Sequence, residues 1–213
     1  MADRQKDSLY VQSHFGAVSA SPGTVNYDET DGRQLEDKTS SLSLTQVLKN
    51  AIVEVHNTYR KDACVPPVTW DDNLASYAMQ ATEQMAATCS PRHTSRTARK
   101  QITGWEGQIA GENIAFAGNS EWDINSPMDQ MTMAKQVLDY TYGPYGQNDC
   151  KPGKRCGHYT QVVWHNSVRV GCGLAACSGS ELPAFVMSCN YQKAGNYLGQ
   201  LPFVKKSTCD LYL

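Results

Sequence analysis

GHYTQVVWHNS, at residues 157–167, and CNYQKAGNY, at residues 189–197, are the most informative stretches of this 213-residue chain. Short runs of apolar and β-branched residues, separated by Gly, Ser and Asn, lie in and beside them at 160–164, 168–175 and 184–191. Runs of this length and composition are typical of strands. We therefore predict three strands in the C-terminal half of the chain.

Helical patterns precede these strands. Residues 43–61 repeat apolar side chains at helical spacing behind a capping box. A second pattern begins at Asp71, a typical N-cap, and a third begins near Pro127 and continues to about Asp139. Because helices come first and strands later, we predict an α+β domain in which an antiparallel sheet packs against helices.

Composition and charge exclude several classes of protein. The formal net charge is only −2, so nucleic acid is not expected as a partner. No apolar run approaches the roughly 20 residues that cross a bilayer, so we expect no transmembrane segment. Residues 1–42 are rich in Ser, Asp, Thr, Gly and Gln and lack periodicity, which predicts a flexible N-terminal extension.

The chain contains eight cysteines, all in its last three-quarters. An even number clustered in this way favours disulfides formed in an oxidising compartment, although eight cysteines allow 105 pairings. No C-x-x-C pair is present, which argues against structural zinc on cysteine. The first residues lack the apolar stretch of a signal peptide, so we expect that a leader was removed or replaced in a secreted, extracellular protein.

The ordered motifs resemble those of the CAP superfamily, which comprises the cysteine-rich secretory, antigen 5 and pathogenesis-related class 1 proteins. Besides the two stretches quoted first, the chain has HNTYR at 56–60, a Cys-then-His loop at 89–93 and GENIAFA at 111–117. The resemblance covers roughly residues 43–203 and is closest to the plant-type pathogenesis-related class 1 proteins. Five motifs in the right order are far more specific than one short motif.

This resemblance implies a three-layer α-β-α sandwich with a central, mainly antiparallel sheet, stapled by disulfides. By similarity to the plant members, it pairs Cys89 with Cys177, Cys150 with Cys156 and Cys172 with Cys189. Cys64 and Cys209 are left over as a pair, which we expect to tether a tail at 204–213 to the CAP domain at 43–203.

The resemblance also implies a central cleft that holds two histidines and two glutamates, with a divalent metal in some members. Matched by motif, the candidate metal ligands are His93, His158, Glu112 and Gln136. Gln136 stands where the family has its second glutamate, and the loss of that anion weakens a cation site. A cation such as zinc is therefore an open expectation, not required for folding, and a hydrogen-bonded network is the alternative; Asp139 is a fallback carboxylate.

A tyrosine-rich loop precedes the GHYTQ motif, at the position where some fungal relatives bind sterols. Its candidate lipid-binding residues are Tyr140, Tyr142 and Tyr145, although the family pattern has an aromatic where this chain has Gln147. Tyrosine rings offer apolar area with a polar edge, which suits a sterol, but they also suit a rigid turn packed on the domain.

We find no nucleophile signature, so the sequence favours a binding protein over an enzyme. The leading hypothesis is a secreted protein that binds sterol or another small lipid in defence, virulence or host interaction. The alternatives are a metal-dependent hydrolase or protease that uses His93, His158 and Glu112, and a module that binds a host or receptor protein.

Overall fold

The computed structural model describes residues 46–118, 133–177, 184–205 and 209. The chain divides into two units, Met1–Thr39 and Ser40–Leu213, and every described residue belongs to the second. The proposed N-terminal extension at 1–42 lies outside the described residues, as do the capping box of the first helix and the start of the third.

The described residues form four α-helices, one 3₁₀ turn and four strands. In chain order they are α1 (Gln46–Asp62), β1 (Thr69–Trp70), α2 (Asp72–Ala87), the 3₁₀ turn (Ala98–Lys100), β2 (Gly111–Gly118), α3 (Met133–Asp139), α4 (Gly157–Val162), β3 (Arg169–Ala176) and β4 (Ala184–Gln192). None of the described helices is long and apolar enough to cross a membrane.

The strands form one sheet in the order β1-β3-β4-β2. β3 and β4 are antiparallel, as are β4 and β2, while the short β1 runs parallel to β3. The sheet is therefore mainly antiparallel, as the sequence predicted.

Helices cover both faces of this sheet. On one face, α2 lies directly against β3, because a Cβ at Gly171 or Gly173 would overlap the backbone of α2. On the other face, the side chains of Val170, Cys172 and Leu174 join a core cluster with residues from α1 and α4. Because side chains alternate along a strand, one face of β3 is smooth enough for a helix and the other is filled with apolar side chains.

The predicted cap of α2 is confirmed. The side chain of Asp71 accepts hydrogen bonds from the backbone N–H groups of Asn73 and Leu74, at 3.0 and 2.9 Å. These bonds satisfy two of the donors that a helix N-terminus leaves without an intrahelical partner.

The strand predicted at 160–164 is wrong. Residues 157–162 form α4, and Thr160 binds back to the carbonyl of Cys156 inside this helix. The apolar run is buried on all sides, and a short buried run does not distinguish a strand from a helix by its periodicity. The strands predicted at 168–175 and 184–191 correspond to β3 and β4.

Four disulfides connect these elements: the three pairs that the family resemblance implied and the remaining pair, Cys64–Cys209. Cys172–Cys189 joins β3 to β4, Cys89–Cys177 joins the ends of α2 and β3, and Cys150–Cys156 closes a short loop before α4. Cys64–Cys209 joins the loop after α1 to the C-terminal tail, across 145 residues.

Candidate functional site

Glu112 and His93 meet at the start of β2. The Glu112 side chain is fully buried, and His93 comes from the loop after α2 with 61% of its side chain exposed. His93 Nδ1 lies 2.7 Å from Glu112 Oε2, which also accepts from the Thr94 N–H at 3.0 Å. The Thr94 hydroxyl donates to Glu112 Oε1 at 2.6 Å. Because a carboxylate only accepts, Nδ1 is the nitrogen of His93 that carries the hydrogen in this pair.

Gln136 contacts the start of α4 through its side-chain oxygen. Its side-chain oxygen accepts hydrogen bonds from the backbone N–H groups of His158 and Tyr159, at 3.0 and 3.1 Å. A side chain on α3 thus caps the first turn of α4. The carbonyl of His158 is held in turn by the Asn113 amide at 3.1 Å. The backbone of His158 is therefore fixed from both sides.

The oxygens of the candidate metal ligands are occupied by protein donors. Both Glu112 oxygens and the Gln136 oxygen are directed at protein donors, and the fallback carboxylate of Asp139 lies 3.8 Å from the Lys151 ammonium. Within the described ranges, no group of three or more His, Cys, Asp or Glu side chains is placed to hold a metal ion. The residues in this arrangement do not fit a closed zinc site, which takes four ligands.

A network of buried, hydrogen-bonded polar side chains supports the site. His56 Nδ1 lies 2.7 Å from the Ile52 carbonyl, and His56 Nε2 lies 3.0 Å from the Tyr191 hydroxyl. That hydroxyl also accepts from the Asn113 amide at 3.2 Å. Because a carbonyl only accepts, Nδ1 donates to it, and Nε2 of the neutral ring accepts from Tyr191. This hydrogen-bonded network links α1, β4 and β2 to the backbone of His158.

Burial determines the protonation states of His56 and Tyr191. It lowers the pKa of His56 to about 4, helped by the Arg60 cation and opposed by the bond to the Ile52 carbonyl. Burial also raises the pKa of the Tyr191 hydroxyl. Both groups are therefore neutral near pH 7. Sequence analysis did not identify Tyr191 or Asn113, because their roles depend on contacts between distant elements.

Arg60 is fully buried and contacts carbonyl oxygens. Its Nε donates to Pro66 at 2.6 Å, and Nη1 donates to Val162 at 2.7 Å and Trp164 at 3.0 Å. Burial lowers the pKa of Arg60 to about 10, which leaves it charged. A cation at the carboxyl end of α4 complements the helix dipole. HNTYR thus supplies two residues, one helical turn apart, that position α4.

Two of the three candidate lipid-binding tyrosines share a pocket. Tyr140 and Tyr142 line a cavity of about 320 Å³, whose remaining lining residues are Asp62, Ala63, Cys64, Tyr159, Phe203 and Lys205. The Tyr140 ring lies 5.0 Å from that of Tyr159, edge to face, and the Tyr142 ring lies 5.5 Å from that of Phe203. We call this cavity the aromatic pocket.

Tyr145 does not line the aromatic pocket. Its hydroxyl lies beside Gly157, and its backbone N–H donates to the Gln200 carbonyl at 2.8 Å. Tyr145 therefore supports the loop and the start of α4. The Tyr142 hydroxyl accepts from the Lys205 N–H and donates to the Phe203 carbonyl, so it holds the backbone of these two lining residues.

A larger cavity of about 500 Å³ adjoins the aromatic pocket and shares Asp62 and Cys64 with it. Its other lining residues are Asn57, Lys61, Val65, Pro67 and Cys209. We call it the disulfide pocket, because the Cys64–Cys209 bond forms part of its wall. Sequence analysis did not identify it, since its two sides are 145 residues apart.

Comparison with known proteins identifies the class of this fold. The model of the CAP family, described as the cysteine-rich secretory protein family, matches residues 53–191. The chain belongs to this family. Pathogenesis-related protein 1A of Nicotiana tabacum is 40% identical over 151 residues, which cover 71% of this chain and 78% of the tobacco protein.

Solved structures share the fold at lower sequence identity. The crystal structure of Na-ASP-1 has a TM-score of 0.64 at 19% identity and covers 87% of this chain, which spans about half (49%) of that protein. The crystal structure of NaASP2 with Zn2+ has a TM-score of 0.61 at 21% identity, over 81% of this chain and 91% of that one.

Proposed function

We propose that this chain is a secreted, non-enzymatic CAP protein that binds a sterol or another small lipid through the aromatic pocket, in a defence or host-interaction role. The observation that carries the proposal is the meeting of Tyr140 and Tyr142 with Tyr159 and Phe203 around one cavity. Secretion and a defence role are supported by the family, by the pathogenesis-related relatives and by the four disulfides.

The lining of the pocket suits a ligand with a rigid apolar body and one polar group. Four aromatic rings supply the apolar walls, while Asp62 and Lys205 supply charged groups among the lining residues. Ligand pockets of about 300–1,000 Å³ commonly combine apolar walls with a few polar groups. Burial raises the pKa of Tyr140 to about 12, so its hydroxyl is neutral at physiological pH.

The disulfide pocket shares two lining residues with the aromatic pocket. Because the two share Asp62 and Cys64, a ligand longer than the aromatic pocket would continue along the Cys64–Cys209 bond. Sterols are elongated, so their ring system would lie against the aromatic walls and their tail in the disulfide pocket.

A divalent cation is not part of the proposed mechanism. NaASP2 was solved with Zn2+, but in this chain the oxygens of Glu112 and Gln136 serve hydrogen bonds, and Gln136 cannot supply an anion. The Glu112–His93 pair is assigned instead to holding the loop after α2 on the edge of the sheet. The hydrolase alternative would require turnover that His158→Ala abolishes.

The test is a saturation titration of radiolabelled cholesterol or ergosterol, with excess unlabelled sterol as competitor. We expect saturable, competable binding that Tyr142→Ala weakens and that Tyr142→Phe, which keeps the ring, largely retains. Tyr145→Ala is the matched control on the same loop outside the pocket. Absence of competable binding, or equal losses for the two alanine variants, would overturn the proposal and leave protein partners as the alternative.

A further inference from the structure

Residues 197–204, which we call the apolar segment, expose large apolar side chains. Leu198 is 76% exposed and Val204 is 68% exposed, and Tyr197 and Leu201 are also exposed. Single exposed apolar residues are common on protein surfaces, but four within eight residues form a patch of the kind that marks an interaction site.

Hydrogen bonds hold the apolar segment on the domain. The Tyr145 N–H donates to the Gln200 carbonyl at 2.8 Å, and the Gly199 N–H donates to the Tyr145 carbonyl at 2.9 Å. The Leu198 side chain lies over Gly146, where a Cβ would overlap it. The segment therefore presents its apolar side chains from a defined position, beside the loop that carries the exposed Tyr142.

A basic loop lies next to this segment. Lys151, Lys154 and Arg155 are exposed on the loop that the Cys150–Cys156 disulfide closes. The Asn196 amide donates to the Gly157 carbonyl at 2.8 Å, which joins the end of the basic loop to the start of the apolar segment.

The only charged side chains in the two segments that make up this region are basic. Neither 151–157 nor 193–205 contains an Asp or Glu residue, whereas they carry three and two basic residues respectively. Among the described residues, the carboxylates of adjoining elements are Asp139, 3.8 Å from the Lys151 ammonium, and Asp149, which is buried and accepts from the Gly146 N–H. Asp62, in the aromatic pocket, is a third.

We propose that the apolar segment and the basic loop together form a docking surface for an anionic lipid bilayer. Leu198, Leu201 and Val204 enter the interface, while Lys154 and Arg155 meet the headgroups. Apolar and aromatic side chains bordered by Lys and Arg are the composition of interfacial membrane-binding surfaces. The net charge of the chain is −2, so attraction to an anionic surface must come from a local cluster of this kind.

Docking on a bilayer is a property additional to sterol binding, and it is tested without sterol. Tyr142 and Lys205 line the aromatic pocket, and Lys205 directly follows the apolar segment and donates its N–H to the Tyr142 hydroxyl. A bilayer on the docking surface would therefore lie near the aromatic pocket, so a lipid could pass between them without crossing bulk water.

The experiment is vesicle co-sedimentation of the full oxidised chain, using phosphatidylcholine alone and phosphatidylcholine mixed with phosphatidylserine, both without sterol. We expect binding to the mixed vesicles only, weakened by salt. Lys154→Gln with Arg155→Gln should lower the partition coefficient roughly thirty-fold, the value for two cations near an anionic surface. Leu198→Ser with Val204→Ser should lower it as well.

Matched control variants distinguish a specific docking surface from non-specific adsorption to vesicles. Arg92→Gln with Arg96→Gln removes the same charge from the exposed loop after α2, and Val47→Ser removes an apolar side chain that is 61% exposed on α1. Both should leave partitioning unchanged. Equal binding to neutral vesicles, equal losses in the controls, or no vesicle binding would overturn the proposal; sterol titration of the same preparation shows separately whether the proposed function stands. Capture of a defined protein without vesicle binding would overturn it too, and would assign the surface to a protein partner.

Discussion

The side-chain oxygen of Gln136 accepts hydrogen bonds from two consecutive backbone N–H groups at the start of α4, those of His158 at 3.0 Å and Tyr159 at 3.1 Å. A residue that the sequence resemblance made a candidate metal ligand thus serves as a helix cap supplied from another helix. The cap sets the position of His158, because it holds the backbone of that residue directly.

Replacement of Gln136 should separate its capping role from any ligand role. Gln136→Leu removes the acceptor and leaves two N–H groups without it, so we expect the free energy of unfolding to fall by about 1–3 kcal/mol. Gln136→Glu keeps an acceptor at a helix N-terminus and should leave stability nearly unchanged. Urea denaturation of the three proteins measures both effects. If Gln136→Leu were as stable as the parent, the capping role would be wrong.

The stability of the protein should fall in acid through His56. Its pKa is about 4 in the folded state and about 6.5 when exposed, so the unfolded chain binds this proton first as the pH falls. The contribution of neutral His56 to the free energy of unfolding is fully present above pH 6.5 and is lost between pH 6.5 and pH 4. We expect His56 to account for a decrease of about 2 kcal/mol between about pH 7 and about pH 4.5.

The measurement is the free energy of unfolding at several pH values in that window, for the parent chain and for His56→Gln. Glutamine does not titrate, so the variant should start less stable and lose less stability on acidification. Parallel pH curves for the two proteins would show that His56 does not carry the effect, because the carboxylates are common to both.

Removal of the Cys64–Cys209 disulfide should affect both stability and ligand binding. Its loop is long, and breaking such a bond costs roughly 2–5 kcal/mol. We expect Cys64→Ser with Cys209→Ser to lower the Tm and to weaken sterol binding, because these residues line the disulfide pocket. The matched control is Cys150→Ser with Cys156→Ser, which opens a short loop away from that pocket. Equal loss of sterol binding in both variants would indicate general unfolding instead.

Removal of divalent cations by a chelator should not change the thermal stability of the protein. Because the Glu112 and Gln136 oxygens are used by protein donors, we expect no shift in Tm on treatment with EDTA and none on addition of Zn2+. A ligand that binds only the folded state raises the free energy of unfolding with the logarithm of its concentration relative to Kd, so differential scanning calorimetry detects a filled site. A rise in Tm with Zn2+ that His93→Ala removes would contradict this prediction.

The sequence alone predicted the family, the start of α2 and two strands of the sheet. Asp71 could be recognised as a cap because its bonds reach only two and three residues along the chain. β3 and β4 could be recognised because their apolar residues and their Gly, Ser and Asn boundaries are local features. The cysteine pairs followed from the family resemblance and not from spacing.

The tertiary structure decided what each motif does. Residues 160–164 lie in and just after a helix because α4 is held at one end by Gln136 and at the other by Arg60, whose Nη1 bonds Val162 across 102 residues of sequence. The same is true of the pockets, whose walls come from distant parts of the chain. Propensity and periodicity report neighbours within a few residues, whereas the cap, the buried His56 and the aromatic pocket depend on contacts that form only when the layers pack.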